Sequence, residues 1–146
     1  MMESQFQHYP TTWGPPMWFF IHTIAHGYPD TPNIVTKRKY YDFIQNLPLF
    51  IPNPEMGNQF SHLLDAYPVS PYLDCRESFV RWTNFIHNKV NESLKKEEYS
   101  YDESVRTYWA NYREKPVYLY ESFRLKRRWF HILFIFFLFC LILYFS

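Results

Sequence analysis

The stretch L73-D-C-R-E-S-F79-V-R-W82-T-N-F-I86-H-N-K-V90-N-E-S-L94-K95 places Phe79, Trp82, Ile86, Val90 and Leu94 three or four residues apart. Apolar side chains at that spacing share one face of an α-helix, so the pattern predicts a helix over Leu73–Lys95 with one side on a core. Upstream, M17-W18-F-F-I21-H22-T-I-A25-H26 carries Trp18, Ile21, His22 and Ala25 at the same spacing. Thr11 or Thr12 can cap that helix, Pro15 and Pro16 suit its entry, and Gly27 stops it. A helix over Ile34–Gln45 is expected to turn Tyr40, Tyr41, Phe43 and Ile44 inward. Pro48, Pro52 and Pro54 then break the chain before a helix over Glu55–Ala66. After the charged turn Lys95–Glu98, Tyr101–Tyr112 reads as a shorter fifth helix. No segment alternates at period two for long enough to be a strand. The expected fold class is all-α: a four-helix up-and-down bundle with a short fifth helix, followed by a C-terminal transmembrane helix.

The 146 residues suit one domain plus appendages, and aromatics at 23% supply large burial energy for a small core. We expect a flexible arm over 1–11, a bundle domain over 12–112, a basic linker over 113–128 and an anchor over 129–145. A net charge of +1 gives no whole-chain case for nucleic-acid binding. The two cysteines, Cys75 and Cys140, exclude a disulfide framework. The six histidines show no zinc-ligand spacing, since His22 and His26 are four apart with no carboxylate between them. Three glycines leave no phosphate-cradling loop.

From Trp129 to Phe145 the chain reads WFHILFIFFLFCLILYF without a formal charge. At ~1.5 Å per residue this is just long enough for a bilayer core. Arg124, Lys126, Arg127 and Arg128 precede it, with Trp129 and Tyr144 as interface anchors. The basic flank predicts a single-pass membrane protein whose N-terminal domain is cytosolic, with only Ser146 emerging opposite. Met1–Pro10 lacks the apolar core of a signal peptide.

Three stretches in order, W13-G-P-P-M-W18-F-F-I-H22-T, Y28-P-D and H87-N-K-V-N91-E-S-L-K-K96, resemble the Erv/ALR family of FAD-linked sulfhydryl oxidases. The resemblance covers about residues 12–109 and implies a four-helix bundle with FAD held between helices. It implies that Trp18, His22 and Tyr28 meet the cofactor from the first helix and its exit. His87, Asn88, Val90, Asn91 and Lys96 would meet it from the long helix and its end, with Trp109 or Tyr108 supplying a later aromatic. Independently, His87 and Asn91 are i and i+4 and project from one helical face. The short, single-anchored form also resembles versions carried by large cytoplasmic DNA viruses. That setting implies a virion inner membrane, with capsid or other virion membrane proteins as partners. Family members pair through their first helices, which here would use Phe19, Phe20 and Ile24 in a homodimer.

Where that family has Pro-Cys-x-x-Cys, this chain reads I51-P-N53-P-E-M56. The family's first pair takes electrons from a substrate dithiol and hands them to the flavin. Asn53 has no redox couple, and the Met56 thioether cannot form a disulfide. Cys75 has no resolving partner, and Cys140 lies in the expected anchor. Three readings follow: a redox-dead descendant kept as a structural or interaction component, an active FAD-linked thiol oxidase using partner thiols, and a tail-anchored adaptor without cofactor.

Overall fold

The computed structural model describes residues 9–113, 126–136, 141 and 143. Five α-helices form the N-terminal unit: α1 Pro10–His26, α2 Ile34–Asn46, α3 Pro54–Ala66, α4 Arg76–Ser93 and α5 Tyr101–Ala110. Short 3-10 turns at Leu47–Phe50 and Ser70–Tyr72 introduce α3 and α4. Among the described residues there is no strand.

Several boundaries differ from the periodicity reading. The first helix starts at Pro10, not Met17, with Tyr9 as its cap in place of Thr11 or Thr12. Proline at the first helical position has its φ preset and leaves no amide orphaned, so the start extends upstream into the expected arm. The long helix begins only at Arg76, because Cys75 is extended (φ −155°, ψ 166°). On α2, Ile44 is buried and Tyr40 and Phe43 pack on the core, whereas Tyr41 turns outward. Tyr41 lies one residue from Tyr40, about 100° round the helix, and both cannot face the same core.

The core gathers Ile21, Ala25, Tyr28, Ile44, Leu47, Phe60, Leu64, Val69, Leu73, Phe79, Val80, Trp82 and Ile86. Each fully buried side chain of the size of Phe79 contributes roughly 2–3 kcal/mol. Tyr28, just past α1, is fully buried; its hydroxyl donates to the Leu73 carbonyl at 2.9 Å, and its own carbonyl accepts from Arg76 Nε at 2.6 Å. Its ring meets Tyr40 of α2 and Phe79 of α4 edge-on, at 4.6 and 5.2 Å between centroids. Further along, Trp18 lies against His87, so α1 and α4 run antiparallel.

The C-terminal end of α4 decides how the chain returns. Lys95 adopts φ 54°, in the left-handed region. The Lys95 amide donates to the Glu92 carbonyl at 3.0 Å and the Lys96 amide to the Asn91 carbonyl at 2.9 Å. These are the paired bonds of a Schellman ending, usually built with glycine. They turn residues 97–99 back along α4.

The C-terminal unit, Tyr112–Ser146, is described over 126–136, which is helical, and at 141 and 143. Among the described residues no helix is long and apolar enough to cross a membrane. The remainder of the expected 129–145 anchor, including Cys140, lies outside the described residues, as does most of the expected arm and linker.

Two substitutions test this account. A Cβ on Gly57 would stand 2.7 Å from the Pro48 carbonyl oxygen, where α3 presses on the turn before it. Gly57→Ala should therefore lower the urea-unfolding free energy by roughly 1–2 kcal/mol, although alanine favours helix. Lys95→Gly should raise it by about 0.5–1 kcal/mol, by removing a left-handed penalty. An unchanged midpoint in either variant would contradict the corresponding local geometry.

Candidate functional site

A cavity of about 650 Å³ opens between α1, the start of α3, the C-terminal half of α4, and α5. That volume lies within the roughly 300–1,000 Å³ of small-molecule sites. Its walls follow helical spacing. Trp18, Ile21 and His22 come from α1; Met56, Phe60 and Leu63 come from α3; His87, Val90 and Asn91 come from α4. Lys96, Glu97 and Tyr99 close one side together with Ser104, Thr107 and Tyr108 of α5.

The aromatic floor is organised by two histidines. The Trp18 and His87 rings are stacked, with centroids 4.0 Å apart and planes 12° from parallel. His22 Nε2 and His87 Nδ1 are 3.1 Å apart, so one ring donates its N–H to the other. Phe60 meets Trp18 edge-on at 6.2 Å. Burial lowers the His22 pKa to about 4, helped by the charge of His26. Burial likewise lowers His87 to about 4, helped by His22 and Lys96. Both rings are neutral at pH 7. A neutral pair sharing one proton keeps a free ring nitrogen on each partner, beside a flat apolar wall. Lys96 supplies a cation on the cavity wall. Flat rings beside a cation and amides suit a ligand with a planar ring system and an anionic tail.

Asn53 and Met56 have separate tasks. Asn53 is the N-cap of α3, and its Oδ1 accepts the Met56 amide at 3.0 Å. This is the ordinary cap geometry, with Pro54 at the first helical position. Met56 lines the cavity, where a polarizable thioether packs well against aromatic edges. No dithiol can form at these positions. Cys75 occupies the N-cap position of α4 with its sulfur 3.5 Å from Ser78 Oγ, and hydrogen bonds that Ser78 can donate to the thiolate lower its pKa. It precedes His87 by twelve residues, roughly 18 Å along the helix, and is not part of the cavity wall.

Trp18, His22, His87, Val90, Asn91 and Lys96 thus line one cavity. Three others stand elsewhere. Tyr28 is in the core, Asn88 bonds the Tyr99 backbone, and Trp109 is 53% exposed and edge-on to His26. Of the two aromatics left open, Tyr108 is the one in the wall, stacked on His26 at 4.1 Å. The Met56–Phe60–Leu63 stripe of α3 was legible as 4 and 3 spacing. Tyr99 carries no such signal, because it enters from an irregular segment.

The Erv1/Alr family model matches residues 15–110. The "Probable FAD-linked sulfhydryl oxidase" of Acanthamoeba polyphaga mimivirus is 34% identical over 97 residues, covering 66% of this chain and 68% of the relative. The FAD-linked sulfhydryl oxidase ERV2 of Saccharomyces cerevisiae is 35% identical over 82 residues. That match covers 56% of this chain but only 41% of the relative. The crystal structure of the yeast Erv1 core superposes with a TM-score of 0.61 at 20% identity, covering 75% of this chain and 92% of that one. At that identity the likeness shows the fold.

The histidine pair generates a pH dependence. A folded pKa held below the unfolded value means that acid protonates the unfolded chain first. Stability is full above about pH 6.5 and falls as pH drops toward 4, by on the order of 2–3 kcal/mol for each ring. His87→Phe keeps a ring on Trp18 but removes one titrating group. Its denaturation midpoint should change about half as much between pH 7 and pH 4.5; an equal slope in parent and variant would place the acid sensitivity elsewhere.

Proposed function

The chain belongs to the Erv1/Alr family, and from that premise we propose that it is a redox-silent, membrane-anchored member that keeps an FAD pocket as part of a structural or interaction module. The observation that carries this reading is the occupancy of the α3 start: a capping Asn53 and an apolar Met56 stand where electron entry requires two thiols. The cavity walls agree with FAD. Trp18, His22 and His87 provide a planar, water-excluding surface for rings, and Lys96 provides a cation for phosphates. Bound FAD supplies a two-electron acceptor. The residues around it here bind, orient and exclude water, but none can deliver electrons from a dithiol.

Trp129–Phe145 is assigned as the anchor, with Arg124–Arg128 on the cytosolic side. The described apolar side chains from Trp129 to Phe136 are each more than half exposed, which suits a helix meeting lipid on all sides. On the bundle, Phe20 is 54% exposed and meets Phe43 edge-on, while Ile24 packs on the core and Phe19 on Tyr108. The face around Phe20 is therefore our candidate contact for a second copy, in a virion inner membrane beside capsid or other membrane proteins. Purely monomeric sedimentation at tens of micromolar would remove the homodimer.

The deciding measurement uses the full chain in detergent micelles, assayed for bound flavin and for dithiothreitol-dependent oxygen uptake. We expect flavin absorbance with no uptake beyond that of free FAD. The double variant Asn53→Cys with Met56→Cys should gain uptake with small thiols, and should lose about 1 kcal/mol of stability with the Asn cap. Turnover by the parent chain would overturn the silent reading and favour an active oxidase; a colourless parent would remove the cofactor.

A further inference from the structure

Asn84, Asn88 and Asn91 lie four and three residues apart, on one face of α4. All three side chains reach the same short segment. Asn88 Nδ2 donates to the Tyr99 carbonyl at 2.7 Å, and Asn88 Oδ1 accepts the Tyr99 amide at 3.0 Å. A single side chain thus satisfies both polar groups of one residue in a segment with no helix or strand to do so. Asn91 Nδ2 donates to the Glu97 carbonyl at 3.2 Å. Asn84 Nδ2 reaches the Tyr99 carbonyl at 3.5 Å, the weakest of the set.

This segment is the cavity wall, since Lys96, Glu97 and Tyr99 all line it and Ser100 then caps α5, which carries Ser104, Thr107 and Tyr108 into the same wall. The left-handed turn at Lys95 aims the segment back along α4, and the amides fix where it stops. Asn84 Oδ1 is buried with no hydrogen-bond partner among the described residues. A buried orphan acceptor opposes folding. Retaining an amide there makes sense if its value lies in what its N–H reaches.

We propose that Asn84, Asn88 and Asn91 are positioning residues: they clamp Glu97–Tyr99, and α5 behind it, as the wall that retains a ligand in the cavity. Asn88 then acts on the ligand through Tyr99 and not by touching it, which departs from the direct contact that the family resemblance implies. Taking FAD as the ligand rests on the functional reading above; the clamp itself does not.

The test compares the full chain with Asn88→Ala and Asn88→Asp, the latter keeping the acceptor for the Tyr99 amide while losing the donor. Amide hydrogen exchange is read at Tyr99 and through α5 without FAD, and FAD release is followed by recovery of flavin fluorescence on dilution. Asn88→Ala should speed exchange at Tyr99 and in α5, and FAD release, each by roughly tenfold or more, as loss of two hydrogen bonds implies. Asn88→Asp should fall between variant and parent. Unchanged exchange in Asn88→Ala overturns the clamp, whether or not release is faster; faster release alone would mean direct contact. Faster exchange with unchanged release overturns the retention role. A parent that takes up no FAD, yet has a protected Tyr99 amide that Asn88→Ala exposes, overturns the cofactor reading and leaves the clamp supported.

Discussion

Tyr28 ties together three parts of the chain that are far apart in sequence. Its hydroxyl holds Leu73, its carbonyl holds Arg76, and its ring sits between Tyr40 and Phe79. A buried phenol without a partner would be costly, so the Leu73 bond fixes the position of the ring as well as satisfying it. This anchorage sets the antiparallel register of α1 on α4. Ten residues back along α1 and about eight forward from Phe79 along α4, Trp18 arrives on His87. The cavity is therefore set by a contact outside it, and the Tyr28 position matters to the site through packing.

The same register imposes a polar problem. Bringing His22 and His87 into an apolar floor costs each imidazole much of its hydration, and each answers by staying neutral and bonding the other. The pair satisfies one nitrogen of each ring. Similarly, residues 97–99 have no ladder of their own, and side-chain amides from α4 complete their backbone bonds. The wall at residues 97–99 is thus held largely by side-chain hydrogen bonds, whereas the Tyr28 end combines ring packing with the Leu73 and Arg76 bonds. Local opening should be easiest where the polar fastenings are.

Periodicity made the helices legible because burial writes itself at three- and four-residue spacing: Phe79, Trp82 and Ile86 are buried as the pattern requires. The ends were less legible. Cys75 delays the start of α4 through its extended backbone, and Lys95 ends it in a conformation that a lysine does not advertise. Six of the cofactor residues implied by resemblance share one cavity. Tyr28, Asn88 and Trp109 fall outside it because resemblance transfers position and not contact. The amide stripe Asn84–Asn88–Asn91 was visible in the sequence as spacing, but its meaning depends on the reversal at Lys95, which no periodicity reveals.

The start of α3 shows how little backbone change separates two kinds of site. A helix N-terminus exposes unsatisfied amides and a positive dipole end, a setting that lowers the pKa of a thiol placed there. The same amides are what an Asn cap satisfies. Asn53 accepts the Met56 amide, so the electrostatic resource that would activate a thiolate is spent on holding the helix end. Met56 then fills the cavity side with apolar volume and needs no proton or partner. Reactive residues at strained or polarising positions commonly cost stability, and replacing them commonly recovers it. By that argument the Asn53–Met56 arrangement is a self-consistent structural solution at the α3 start, one in which the cap, the proline turn and the cavity wall support each other without a redox couple.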